Sequence, residues 1–159
     1  YYFTSGILAF FAFSILITMA AQSSGVLKTA VTTDKAPKAI GPYSQAIVAN
    51  GFVFAAGQIG SDPKTGILAE GIEAQVEQTF KNIAAVLKAS GSSMDNVVKA
   101  TVFLADINDF AKMNEIYGKH FKAPFPGRST VQVARLPRDA KVEIEVIALV
   151  STGRGLLKK

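Results

Sequence analysis

Two charged side chains stand where apolar runs begin or alternate, and both have chemistry to offer. Arg128 follows Pro126-Gly127 and opens the strand-forming stretch Ser129 to Ala134. A guanidinium in that place presents a planar fork of donors that matches a carboxylate. The competing reading is a solvated arginine at a strand end. Glu143 alternates with Val142 and Ile144, so it faces away from them and shares a side with Glu145. A carboxylate there can move a proton if partial burial brings its pKa toward the working pH. The competing reading is an exposed strand face. Gly41-Pro42-Tyr43-Ser44 reads as a turn entering a strand, in which Tyr43 either donates to a ligand or packs. Gly57-Gln58-Ile59-Gly60 lacks the spacing and the following lysine of a phosphate loop, which argues against nucleotide binding. His120 stands near a helix end and reads as a surface or dipole-interacting residue.

Composition removes several other chemistries. The 159 residues contain no cysteine, so there is no disulfide framework, thiolate metal site or thiol nucleophile. A single histidine excludes a His-rich zinc site. The net charge of +5 comes from scattered lysines and a basic tail, Arg154, Lys158 and Lys159, which fits a solvated surface better than a dedicated nucleic-acid site.

The elements that must hold these residues follow from hydrophobic period and turn chemistry. Ala46–Ala49 and Phe52–Ala56 flank Asn50-Gly51, whose tolerance of positive φ predicts a type I′ hairpin. Gly71 to Ser90 carries Ile72, Val76, Phe80, Ile83 and Leu87 on one helical stripe, with Gly91 at the expected C′ position. Val97–Leu104 reads as a strand. A second helix is expected from Asp109 to Phe121, capped by Asn108, with Phe110, Met113, Tyr117 and Phe121 on one face. Ser129–Ala134 and Val142–Val150 are the last strands, joined by a turn at Leu136-Pro137-Arg138-Asp139. Two helices cover one face of one sheet. Yet Phe103 and Leu104 are both apolar, as are Ile147 and Ala148, and strands apolar on both sides need cover on both sides. A second subunit is the expected cover, with the N-terminal segment as the other candidate.

That segment, Tyr1 to Thr18, has no charged side chain. It reads as an anchor, a signal-peptide core, or sequence upstream of a start at Met19. The third is favoured because no basic n-region precedes it. Residues 1–27 are taken as an apolar and flexible extension, with Gln22 to Ala39 as a loose lead-in, and residues 28–159 as one domain. The expected compartment is the cytoplasm. The alternative is an organelle, or a membrane reached through residues 1–18.

Four segments, Ala39-Ile40-Gly41-Pro42-Tyr43-Ser44-Gln45-Ala46, Ala56-Gly57-Gln58-Ile59, Arg128-Ser129-Thr130-Val131 and Val142-Glu143-Ile144-Glu145, resemble the Rid family, also called YjgF, in its RidA branch. The similarity runs from Lys28 to Val150. It implies a chorismate-mutase-like α+β fold, a mixed sheet with two helices on one face, assembled as a homotrimer with clefts between subunits. It implies hydrolysis of 2-imino and 2-enamino acids, released by pyridoxal-phosphate enzymes, to 2-keto acids and ammonia, with no metal or organic cofactor. Carried onto this sequence, Arg128 binds the substrate carboxylate and Glu143 holds the attacking water or shuttles a proton. The backbone at Thr130 helps place that water. Tyr43 lines the cleft from an adjoining chain, Asn114 is a further cleft position, and Gly57 permits close backbone approach. Some bacterial members have cysteine where Thr130 stands and serine where Ala56 stands, so a thiol is not needed here. Some relatives are described as endoribonucleases or translation inhibitors, and others as non-enzymatic, chaperone-like proteins. The absence of a basic stripe interleaved with aromatics argues against the first of these, and the presence of Arg128 and Glu143 against the second.

Overall fold

The computed structural model describes residues 27–151. The readings of residues 1–18 and of the basic tail lie outside them. The described chain forms one six-stranded sheet in the order β1-β2-β3-β6-β4-β5, with two helices on one of its faces. The strands are β1 Lys28–Val31, β2 Ala46–Ala49, β3 Phe52–Ile59, β4 Val97–Leu104, β5 Gly127–Gln132 and β6 Val142–Leu149. The helices are α1 Gly71–Ala89 and α2 Phe110–His120. No helix among the described residues is long and apolar enough to cross a membrane.

The hairpin forms as the dipeptide predicts. Asn50 and Gly51 both take positive φ, 49° and 79°, and β2 pairs β3 in register from Ala49↔Phe52 to Ala46↔Ala55. Helix α1 buries its stripe, including Val76, Phe80, Ile83 and Leu87, against the sheet. It stops at Gly91, whose φ of 73° lets the backbone turn and lets the Ser92 N–H return to the Leu87 carbonyl. Helix α2 crosses back between β4 and β5, which makes these two strands the one parallel pair in the sheet. Strand β6 then inserts between β3 and β4, antiparallel to both.

Three expectations need correction. The lead-in is not loose where it is described. Lys28–Val31 pairs with β2, and the buried Gln45 amide clamps the residues that follow. Its Oε1 accepts from Thr33 N at 2.6 Å, and its Nε2 donates toward the carbonyls of Thr33, Ala36 and Pro37 at 2.7–3.3 Å. Ala36 is consequently part of the core. Second, the chain enters α2 through a 3-10 turn, Ile107–Asp109, capped by Asp106, whose side chain accepts from Asn108 N. Asn108 is therefore the capped residue, not the cap. Third, β5 begins at Gly127 and ends at Gln132, two residues earlier at each end than its pattern suggested.

The sheet has one covered and one uncovered face. Val102, Leu104, Val142, Ile144, Val146 and Ala148 lie under the helices and are almost fully buried. The alternate positions point the other way, and there Phe52, Phe54, Val131 and Leu149 remain exposed.

Candidate active site

Arg128 is placed by β5 and seated by α2. Its partner across the parallel ladder is Ala100, a fully buried core residue, so the arginine side chain lies on the helix-covered face. The guanidinium carbon sits 4.4 Å from the centroid of the Tyr117 ring and 5.6 Å from that of Phe110. Of the three described arginines, Arg135 forms a two-pronged pair with Asp139 and Arg138 donates to the Gly66 carbonyl. Arg128 alone has neither an ion pair nor a side-chain hydrogen bond among the described residues. Its fork borders an open cleft of about 330 Å³, lined also by Asn114, Tyr117, Gly118, Phe125 and Pro126. Asn114, Tyr117 and Gly118 reach this cleft together because they are three and four residues apart on α2. Thr130 follows Arg128 on the same face of β5. Its Oγ1 is buried and has no hydrogen-bond partner among the described residues.

Glu143 belongs to a second group of residues. It pairs with Phe103 on one side and Ile59 on the other, and its side chain lies on the uncovered face. Burial raises its carboxyl pKa above the usual value, and the neighbouring Glu145 charge adds to that shift. Gly57 lies in a bulge. Between the pairs Ala55↔Val146 and Gln58↔Ile144, β3 has two residues where β6 has only Glu145. A methyl group built on Gly57 would overlap the Oε1 of Glu143. The space beside Gly57 is therefore filled by the Glu143 carboxylate. Tyr43 lies at the same end of the sheet, because the ladder continues past Ala46 with Ala56 N donating to the Gln45 carbonyl. Its ring is half exposed, and its hydroxyl receives only a long contact from Ile40 N, 3.4 Å.

The six sequence-derived positions thus split into two sets. Arg128, Asn114 and Thr130 belong to the β5–α2 side, and Glu143, Gly57 and Tyr43 to the β3–β6 side. Arg128 and Glu143 lie on opposite faces, two strands and three residues apart, on the order of 14 Å between Cα atoms. One protomer does not bring them together. Tyr117 is the cleft neighbour that sequence reasoning missed, since it reads there only as part of one helix face with Phe110, Met113 and Phe121. Its spacing from Asn114 was the available signal. His120 belongs to the helix pair: its Nε2 is 2.9 Å from Glu77 Oε2, and its ring stacks on Phe80 at 4.3 Å.

Residues 33–150 match the model of the family described as Endoribonuclease L-PSP. The chain belongs to that family, also called YjgF or Rid. Within the Rid family it is 53% identical over 132 residues to Reactive Intermediate Deaminase A, chloroplastic, of Arabidopsis thaliana, covering 82% of this chain and 71% of that one. It is 46% identical over 127 residues to the human 2-iminobutanoate/2-iminopropanoate deaminase, covering 79% and 93%. Among solved Rid structures, RidA from an Antarctic Psychrobacter superposes with a TM-score of 0.75 at 47% identity, over 77% of this chain and 99% of that one. Escherichia coli TdcF with bound serine gives 0.72 at 43% identity, over 76% and 98%.

Proposed function

We propose that this protein hydrolyses 2-imino acids, and their 2-enamino tautomers, to 2-keto acids and ammonia. The observation that carries the proposal is Arg128: a half-buried guanidinium facing a cleft, its side-chain donors unpartnered among the described residues. Such a fork is a receptor for a small carboxylate. The relatives named as deaminases support the substrate class. One solved relative carries bound serine, which has the same α-carboxylate.

The chemistry needs little more than placement. Arg128 grips the carboxylate and so fixes C2 of the substrate. Glu143, with its raised pKa, takes a proton from a water whose oxygen adds to C2 of the protonated imine tautomer, giving a neutral carbinolamine. Glu143 gives that proton to nitrogen, the C–N bond breaks and ammonia leaves, and as the C=O bond forms the hydroxyl proton returns to the Glu143 carboxylate, which passes it to the departing ammonia. Each step uses these side chains and water, with no metal or organic cofactor.

Because one protomer holds the two groups on opposite faces, the working site is made by two copies. Arg128, Asn114 and Thr130 of one chain face Glu143, Gly57 and Tyr43 of the next. The uncovered apolar face supplies the contact, and a homotrimer closes the ring.

Threonine dehydratase, which releases 2-iminobutanoate, provides the assay, with 2-oxobutanoate and ammonia followed over time. Arg128→Ala and Glu143→Gln should each fold and assemble but lose turnover. Refolding the two inactive variants together should restore roughly a quarter of the sites, since random mixing pairs an intact arginine with an intact acid that often. Full activity in folded Arg128→Ala would refute the carboxylate clamp. Mixed assemblies that stay silent would refute the shared site.

A further inference from the structure

We infer that Tyr117, with Phe110 at its rim, is a positioning residue that sets the plane of the Arg128 guanidinium for carboxylate binding. The inference rests on the reading of Arg128 given above and deepens it.

An arginine side chain carries about 2 kcal/mol of rotamer entropy, so a receptor arginine must be held by something. The usual holder is a carboxylate or a carbonyl, as at Arg135 and Arg138. That solution occupies the N–H groups a ligand would need. An aromatic face does not. All five N–H bonds lie in the guanidinium plane, so a ring stacked on that plane attracts the charge and leaves the edge open. The Tyr117 ring, with the guanidinium carbon over it at 4.4 Å, offers such a seat, and Phe110, at 5.6 Å, extends it.

The seat is itself braced. Tyr117 is only 5% exposed, and its ring packs against Phe121 at 4.6 Å and against the edge of Phe80 at 5.8 Å. Phe80 belongs to α1, so the contact between the two helices fixes the angle of the seat. The Tyr117 hydroxyl is buried and has no hydrogen-bond partner among the described residues. Burial holds its pKa above the usual phenol range, outweighing the downward pull of Arg128, so the ring stays neutral. The contribution of Tyr117 is therefore its π face rather than its oxygen.

The test compares assembled Tyr117→Phe, Tyr117→Leu, Phe110→Leu and Arg128→Lys enzymes, together with the Tyr117→Leu/Arg128→Lys double variant. It reads KM and kcat for 2-iminobutanoate, and Kd for the product 2-oxobutanoate by calorimetry. Tyr117→Phe should stay within about twofold of the parent in all three, since the ring face remains. Tyr117→Leu should raise KM and Kd roughly tenfold, with kcat within about twofold, the pattern of lost uniform binding. Phe110→Leu should raise both roughly threefold. On the Arg128→Lys background, where there is no plane to orient, the leucine should add less than about twofold.

The inference is overturned if Tyr117→Phe loses as much as Tyr117→Leu. It is also overturned if the leucine penalty persists undiminished on the Arg128→Lys background, or if folded Tyr117→Leu binds 2-oxobutanoate like the parent. Should Tyr117→Leu not fold, the partly exposed Phe110 gives the same readings, and an unchanged Kd there decides against the seat. These failures differ from failure of the functional reading. In that case Arg128→Ala itself would keep full turnover.

Discussion

At Gly57 and Glu143 two residues compete for one volume. A side chain at position 57 would occupy the space that the Glu143 carboxylate now fills, and the carboxylate, as the flexible end, is what would move. Gly57→Ala should therefore leave the melting temperature within a few degrees of the parent while cutting deaminase turnover by about tenfold or more. An alanine enzyme of full activity would show that the carboxylate position is unimportant. Glu143 also has a stability signature. Its carboxyl titrates above the ordinary 4.5 because it is partly desolvated and stands beside Glu145. A raised acid pKa means that the folded chain holds the proton more tightly than the unfolded one. The resulting stability is fully present below the unfolded value and is lost as pH rises through the folded one. Glu143→Gln should match the parent in denaturant melts below about pH 4.5 and exceed it near neutrality. Equal stability at both pH values would mean the carboxyl is no less solvated than in the unfolded chain. The residue types and alternation made Arg128 and Glu143 legible as candidates. Tyr117 was not legible, because an aromatic residue at helical spacing reads first as core, and here its ring both packs against Phe121 and lies under the Arg128 guanidinium.

Among the elements, the first strand shows what local pattern leaves out. Lys28–Val31 is short and mostly exposed, without the alternation of a half-buried strand, and it is followed by small and polar residues. It becomes a strand because β2 offers an open edge and because Gln45, twelve residues beyond Thr33, turns its amide back onto the lead-in. Neither cause is visible in a window of neighbouring residues. Gln45→Ala should lower stability by about 2–3 kcal/mol, since it removes several bonds and leaves buried partners unmatched. It should also expose residues 27–37 to limited proteolysis. A variant as stable and as protease-resistant as the parent would remove Gln45 from this role. The hairpin and α1 were legible because their signals are local: Asn50-Gly51 for the turn, and the stripe with Gly91 for the helix.

For the whole molecule, strands apolar on both sides pointed to a sheet covered by helices on one face and by something else on the other. The described residues leave Phe52, Phe54 and Leu149 open on that second face. Phe54→Lys should convert the proposed assembly to monomers in light scattering, keep the circular dichroism of the fold, and abolish deaminase turnover. An active monomer would end the proposal of a site shared between chains. Sequence could not foresee that Arg128 and Glu143 face apart. Strand parity between them depends on the register of β4 against both β5 and β6, and register is a property of the assembled sheet.

The opposed placement of Arg128 and Glu143 has a kinetic corollary. No rotamer change or helix shift carries a side chain through its own sheet, so an isolated chain has no route to join the two groups. Any reaction that joins them becomes more than first order in chain wherever copies separate. Specific activity should then decline on dilution, and newly made copies should stay silent until enough have accumulated to meet.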